Sequence, residues 1–139
     1  VLSEVASMLR RIEAAKGGSG PWDAKIGPGR MQEIELIGQA AALTARKPVR
    51  QTPRALRAAD WLDSGPLVAA YELAWSLQIG ARLVSDKPLD PDTLGAGGCA
   101  FLLRLTGHET LDALREELDT RTARAAGIIR AVLPEGEET

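Results

Sequence analysis

The sequence predicts an all-α protein, a single-domain up-down bundle of five to six helices that covers residues 1–139. Apolar residues recur every three or four positions in several long segments, which is the period of a helix, and no segment alternates as a strand does. Proline, glycine and capping residues separate these segments by short loops, which favour antiparallel neighbours. A chain of 139 residues is long enough to bury one core, so we expect one domain.

The first half of the chain contains signals for three helices. The first is predicted to begin at Leu2 and to end at the glycine pair that starts with Gly17. The second is predicted from Arg30 to Arg46. Thr52 followed by proline is a cap-and-first-turn signal, and it predicts a third helix from about Pro53 to Leu62.

The fourth helix is predicted to be the central one. It begins near the Ser-Gly-Pro break at residues 64–66 and is apolar most of the way round. A helix of that kind is normally buried, so we expect it at the centre of the bundle. We also expect Trp61 and Trp75 to lie in the core, the usual place for large aromatic side chains.

Two further helices complete the predicted bundle. Glycines at 95, 97 and 98 weaken the start of a short fifth helix, which is firmer from Cys99 to Leu105. Thr110 is a suitable cap for a last helix that runs to about Leu133. The acidic tail, residues 134–139, is expected to fray.

Composition and charge exclude several classes of function. With 17 basic and 19 acidic residues the net charge is −2, so neither nucleic acid nor an anionic membrane is expected as a partner. No apolar run reaches membrane-spanning length, and the N-terminal segment is too charged for a signal peptide. Cys99 is the only cysteine, which excludes an internal disulfide and a Cys-based zinc site. These features are typical of a cytoplasmic protein.

The search for catalytic chemistry is mostly negative. His108 is the only histidine, so the chain has no His-rich metal site and no catalytic triad, and we expect this residue to be solvated or to cap a helix. Glu33 and Glu35 are separated by about 200° around a helix, so their carboxylates do not hold one metal ion together unless a different element supplies the other ligands. We therefore predict no catalytic residue, no cofactor-binding residue and no metal ligand in this chain.

The stretch from Trp22 to Gln39 is the best candidate for an interaction surface. It joins a glycine-rich turn to the second helix, on which glutamine and glutamate form a polar stripe that is either a docking surface or an ordinary solvated face. A phosphate-binding loop is disfavoured because Pro28 removes a backbone donor, so the turn is better interpreted as a sharp reversal against a packed neighbour. The stripe consists of Gln32, Glu35, Gln39 and Arg46. The candidates for contact with a partner or another domain are Gly27, Gly29, Arg30, Glu33, Glu35 and Gln39.

A set of motifs also carries a family resemblance. The segments are M-L-R-R-I-E-A-A-K-G at 8–17, G-P-W-D-A-K-I-G-P-G at 20–29 and I-E-L-I-G-Q at 34–39, with further similarity at 50–59, 70–78 and 102–107. Together they resemble glutamine synthetase adenylyltransferase, over nearly the whole chain. In that family a W-D-L-K-x-x-P-G-G signature, followed by D-I-E-F and a glutamine, comes after a nucleotidyltransferase domain and opens a helical domain.

The resemblance implies a role within a larger enzyme. The chain looks like the helical domain after the C-terminal nucleotidyltransferase domain, in an enzyme that transfers AMP from ATP to a tyrosine of glutamine synthetase in nitrogen regulation. ATP and Mg²⁺ would belong to the upstream domain, whose G-S-x-x-D-x-D element is absent from this chain. The implied partners are that upstream domain, glutamine synthetase and, as a further candidate, a PII regulatory protein. The missing initiator methionine indicates a piece of a larger protein, and the alternative is a free-standing helical protein-interaction module without catalytic activity.

Three positions depart from the family signature. Glu33 replaces the usual aspartate and keeps the charge, while Leu36 replaces the usual phenylalanine and stays apolar. Arg30 stands where the family has its second glycine. Here a bulky cation replaces a residue with no side chain at the tightest part of the motif, which would mark a divergent member of the family.

Overall fold

The computed structural model describes residues 2–15, 22–25, 28–46, 51–85 and 89–133. These residues contain six helices and no strand. In chain order they are α1 (Leu2–Ala15), α2 (Met31–Ala45), α3 (Thr52–Leu56), α4 (Ser64–Val84), α5 (Pro91–Thr106) and α6 (Leu111–Val132). The prediction of an all-α helical bundle is confirmed. The predicted acidic tail at 134–139 lies outside the described residues.

The core lies where α2, α4 and α6 face one another. One buried cluster joins α2 to α3, α6 and the first half of α4, and a second joins the second half of α4 to the start of α6. Each buried leucine or isoleucine contributes about 1.5–3 kcal/mol relative to leaving it in water. The large side chains with 0% exposure include Ile34, Ile37, Leu56, Leu67, Leu77, Leu114, Leu118 and Ile129.

Helices α2 and α3 approach each other closely because small residues line the contact. The alanines at 40–42 are buried, and a Cβ placed on Gly38 would lie 3.5 Å from the Thr52 methyl group and 3.6 Å from the Ala55 side chain. Helix α3 is shorter than the predicted Pro53–Leu62, because the chain after Leu56 tightens into turns that bring Ala59 and Leu62 into the core.

The prediction that both tryptophans are core residues was wrong. Trp61 is 38% exposed and donates a hydrogen bond from its indole nitrogen to the Thr44 hydroxyl at 3.1 Å. Trp75 is 50% exposed and stacks on Tyr71, with ring centroids 6.3 Å apart. Helix α4 is apolar on more faces than the described helices cover, so the face that carries Trp75 remains at the surface.

Helix α5 has an irregular beginning, as predicted from its glycines. Asp90 caps its first turn by accepting a hydrogen bond from the Asp92 backbone N–H at 3.0 Å. Gly95 then interrupts the helix with φ +74° and ψ 173°, a backbone conformation that side chains disfavour. The helix continues to Thr106 and ends at Gly107, which adopts the left-handed conformation with φ +77°.

Of the two predicted states of His108, solvated or capping a helix, the structure shows the second: its backbone N–H caps the end of α5 by donating to the Leu103 carbonyl oxygen at 2.9 Å. The His108 side chain is 11% exposed, its Nε2 atom pairs with the Glu117 carboxylate, and its Nδ1 atom lies 3.1 Å from the Thr106 hydroxyl. Glu117 also pairs with Arg121, which donates to the Ala69 carbonyl of α4 at 3.1 Å. The predicted helix break thus contains a polar network that links α5, α6 and α4.

The two faces of α4 should respond differently to truncation. Leu77→Ala removes a fully buried side chain, and we expect it to lower the free energy of unfolding by about 2–5 kcal/mol. Trp75→Ala removes a half-exposed ring that stacks on Tyr71, and we expect a loss of about 1 kcal/mol. Urea denaturation of both variants checks the difference, and equal losses would contradict the exposed position of Trp75.

The Glu117 network predicts a dependence of stability on pH. The hydrogen bond with His108 lowers the pKa of Glu117, and the positive charge of Arg121 adds to this against the opposing effect of partial burial. Because the pKa is lower in the folded state, the contribution is present above the unfolded glutamate pKa of about 4.3 and is lost as the pH falls through the folded value.

The measurement is the melting temperature from pH 6 down to pH 3 for the wild type and Glu117→Gln, a range chosen to bracket the ordinary glutamate pKa of about 4.3. The variant should lose less stability over this range than the wild type does. Glu116→Gln, at the neighbouring exposed glutamate, is the matched control and should follow the wild type. A Glu117→Gln curve parallel to the wild type would show that the network adds no pH-dependent stability.

Candidate functional site

The turn before α2 is held against the backbone of α6. Gly29 is buried and has φ +69°, a conformation that suits glycine. A Cβ at this position would lie 1.9 Å from the Thr122 carbonyl oxygen and 2.7 Å from the Ala126 backbone nitrogen. The predicted close approach between the turn and a packed neighbour is therefore confirmed at Gly29. Gly27, the other glycine among the candidates, lies outside the described residues.

The first turn of α2 receives its hydrogen-bond partners from the preceding segment. The backbone N–H groups of Met31 and Gln32 donate to the carbonyl oxygens of Ala24 and Lys25 at 3.1 and 2.9 Å. Helix N-termini leave such N–H groups without intrahelical partners, so residues 24 and 25 satisfy donors that the helix itself leaves open. The W-D-A-K segment is thus fixed to the start of α2.

Arg30 occupies a position that accepts a side chain. Its backbone is extended, with φ −100° and ψ 179°, and its guanidinium donates to the Asp23 carbonyl oxygen. The prediction that position 30 is the tightest part of the motif was wrong, because the tight contact with α6 is at Gly29. The arginine instead links the turn to the segment that satisfies the helix start.

Glu33 connects the turn to α6 from inside the protein. It is 3% exposed and accepts a hydrogen bond from the Gly29 backbone N–H at 3.1 Å. Its carboxylate also pairs with the Arg130 guanidinium of α6, at 3.2 and 3.4 Å. A buried carboxylate is costly unless it is paired and hydrogen-bonded, and these partners meet that requirement. The structure thus gives Glu33 partners within this chain and does not test its predicted contact with another domain.

In the described part of the turn, residues 28 and 29, the backbone is not arranged as in an anion-binding loop. Such a loop points its backbone N–H groups at the ligand. The Gly29 N–H instead points at the Glu33 carboxylate, a negative group of the protein itself. This contact agrees with the interpretation of the turn as a packed chain reversal.

The polar stripe of α2 does not form one uniformly exposed row. Gln39 is exposed, whereas Gln32 and Glu35 are half-buried. The Tyr71 hydroxyl of α4 donates to Glu35 at 3.4 Å. Burial raises the pKa of Tyr71, and the negative charge of Glu35 adds to this against an opposing hydrogen bond with Thr52. Arg46 ends the helix in a left-handed conformation, with φ +57°.

An open groove lies beside Tyr71 on the outer surface of α4. Its volume is about 700 Å³, and it extends from the start of α3 to the middle of α4. Its walls combine the stacked rings of Tyr71 and Trp75 with polar groups of α3. The lining residues are Gln51, Thr52, Pro53, Tyr71, Glu72, Trp75 and Ser76.

The structure brings some of the predicted candidates together and separates others. Gly29, Arg30 and Glu33 meet at the start of α2, while Glu35 and Gln39 lie further along the helix. Sequence reasoning missed Arg130, because a partner 97 positions away leaves no local signal. Among the described residues no group of three or more His, Cys, Asp or Glu side chains is placed to hold a metal ion. No helix in the described ranges has the length and apolar character needed to cross a bilayer.

The contact at Gly29 predicts a strong effect of adding one methyl group. Gly29→Ala places a Cβ against the α6 backbone at a positive φ, so we expect a loss of at least about 2 kcal/mol in the free energy of unfolding. Gly127→Ala is the control, since nothing lies within 4 Å of its Cβ position in α6, and it should stabilise by about 0.5–1 kcal/mol. Chemical denaturation measures both, and a neutral Gly29→Ala would contradict the close contact.

Comparison with known proteins finds one curated enzyme that is similar to this chain over nearly its whole length. No family model matches the chain, and no solved structure matches it. The chain is 35% identical, in an alignment 142 positions long, to the bifunctional glutamine synthetase adenylyltransferase/adenylyl-removing enzyme of Caulobacter vibrioides. The match covers 94% of this chain and 14% of that enzyme. The chain is therefore similar, along nearly its whole length, to one region of a glutamine synthetase adenylyltransferase.

Proposed function

We propose that this chain is the helical domain that follows the C-terminal nucleotidyltransferase domain in an enzyme of the glutamine synthetase adenylyltransferase type. The observation that carries the proposal is the 35% identity to one region of such an enzyme over 94% of the chain. The all-α fold supports it, because the family signature found here opens a helical domain. The role of this domain is to support and orient the catalytic domain.

The activity proposed for the complete enzyme is transfer of AMP from ATP to a tyrosine of glutamine synthetase. ATP and Mg²⁺ would be bound by the upstream nucleotidyltransferase domain, and we assign no described residue of this chain to either group. Glutamine synthetase and a PII regulatory protein are proposed partners of the complete enzyme, which would act in the cytoplasm in nitrogen regulation.

The proposed contact with the catalytic domain lies along the outer side of the turn and α2. The start of α2 is held by Gly29 and Glu33, so its direction is fixed relative to α6. Gln39, one turn beyond Glu35, is exposed and presents both a donor and an acceptor. A polar group on a rigid helix gives a directional contact without exposing apolar surface in the free domain.

A free-standing helical interaction module is the second candidate. The exposed apolar face of α4 favours it, since a face of this kind usually marks an interaction site. The coding sequence upstream of Val1 separates the two candidates. A G-S-x-x-D-x-D element there supports the enzyme domain, and its absence supports the module.

A chimeric enzyme tests the proposal directly. This chain replaces the matching region of the Caulobacter vibrioides enzyme, and both AMP transfer to glutamine synthetase and AMP removal are measured. We expect the chimera to keep both activities. Gln39→Ala in the chimera should reduce AMP transfer about tenfold, since an unsatisfied buried partner costs about 1–3 kcal/mol. The same substitution should leave the melting temperature of the isolated chain unchanged.

Two controls make this result interpretable. Glu33→Gln should lower the stability of the isolated chain by about 1–3 kcal/mol. The amide keeps one oxygen that can accept from the Gly29 N–H, but it loses the charge and the second oxygen that pair with Arg130. Glu116→Ala, on the exposed side of α6, should change neither stability nor activity. The docking surface is wrongly placed if Gln39→Ala destabilises the isolated chain as Glu33→Gln does. The assignment to the AMP-transferring half fails if the chimera loses only AMP removal.

A further inference from the structure

The outward face of α4 carries a continuous row of large apolar side chains. Trp75, Ile79 and Leu83 follow one another at four-residue spacing and are 50%, 39% and 70% exposed. Leu105 of α5, itself 44% exposed, continues this apolar surface beside Gly80. The described part of the chain leaves the face uncovered. An apolar surface of this kind in a folded domain usually marks an interaction site.

Two opposite charges flank the row. Glu72 lies on the N-terminal side of Trp75 and Arg82 lies on the C-terminal side of Ile79, and both are exposed. Neither side chain makes a hydrogen bond or ion pair with the described part of the chain. The face therefore has an acidic end and a basic end, separated by about 15 Å along the helix axis.

This arrangement is symmetric about Leu77, which is fully buried and points into the core. Trp75 and Ile79 lie two positions on either side of Leu77, and Glu72 and Arg82 lie five positions on either side. Consider a two-fold axis that is perpendicular to α4, level with Leu77, and lies on the outward side of the helix. It places a second, antiparallel α4 against the outward face of the first. It brings Trp75 level with Ile79 of the second copy and Glu72 level with Arg82 of the second copy.

The same two-fold axis also places a side chain of the second copy level with the groove beside Tyr71. Leu83 and Tyr71 lie six positions on either side of Leu77, so Leu83 of the second copy is level with Tyr71 and Glu72. These two residues line the groove of about 700 Å³. The most exposed apolar side chain of the face therefore lies opposite an open cavity with an aromatic wall.

We propose that α4 is a self-association surface, on which a second copy of this chain docks its own α4 in antiparallel orientation. The resulting interface is isologous, so each apolar and charged contact occurs twice. One helix pair buries an area at the low end for specific interfaces, so we expect a weak dimer with a Kd of about 10–500 μM. The proposal is independent of the adenylyltransferase assignment.

Charge reversal tests both the partner and the register. Sedimentation of the 139-residue chain should show the mass rising with concentration from 14.8 kDa towards that of a dimer. Glu72→Arg places two arginines opposite each other at both ends, and Arg82→Glu places two glutamates there. Each variant alone should associate at least about tenfold more weakly than the wild type. An equimolar mixture of the two variants restores both pairs and should dimerise as the wild type does.

Further variants define the outcomes. Glu116→Arg, a charge reversal on the exposed side of α6, should dimerise like the wild type. Leu83→Ser removes the groove contact and should also weaken the dimer, which provides a test independent of charge. The proposal is overturned if the wild type stays monomeric up to about 1 mM. That result would mean that another domain or protein covers the apolar face of α4. The proposal is also overturned if the mixture associates no better than each variant alone.

Discussion

The contact of Gly29 with the α6 backbone is the constraint on which the candidate region depends. The chain crosses α6 where no side chain fits, so the turn and α6 must pack in one arrangement. Glu33 stabilises this arrangement by binding the Gly29 N–H and Arg130 together. A carboxylate is also favourable in the first turn of a helix, near the positive end of its dipole. The direction of α2, and with it the position of Gln39, follows from these contacts.

Many features that could be predicted from the sequence have a local cause. Thr110 and Asp90 accept hydrogen bonds from backbone N–H groups two or three residues later, and Gly107 ends a helix with a positive φ. Gly95 interrupts α5 for the same conformational reason. Such interactions lie within one helical turn, so a single sequence contains the information that determines them.

The features that could not be predicted depend on distant residues. Periodicity identifies the apolar face of a helix, but it does not show whether a neighbour covers that face, and Trp75 was therefore placed wrongly. The surroundings of His108 depend on Glu117, one helix further along the chain. The close approach of the turn to a packed neighbour was correctly predicted at Gly29. Its packing partner, α6, and the buried pair of Glu33 with Arg130 required the three-dimensional structure.

Helix α4 shows why the two proposed surfaces are compatible. Its inward face, which includes Leu73 and Leu77, completes the core, so the apolar residues on its outward face are not needed for that core. Large apolar side chains that remain in water do not contribute the free energy that burial would provide. A further molecule or domain that covers them would provide it. The polar surface at Gln39 has the opposite character, because water satisfies its amide when no partner is bound. The polar contact proposed within one enzyme needs an exposed amide on α2, and the apolar contact proposed between copies needs an uncovered apolar face on α4. Because the two surfaces lie on different helices, one chain can carry both.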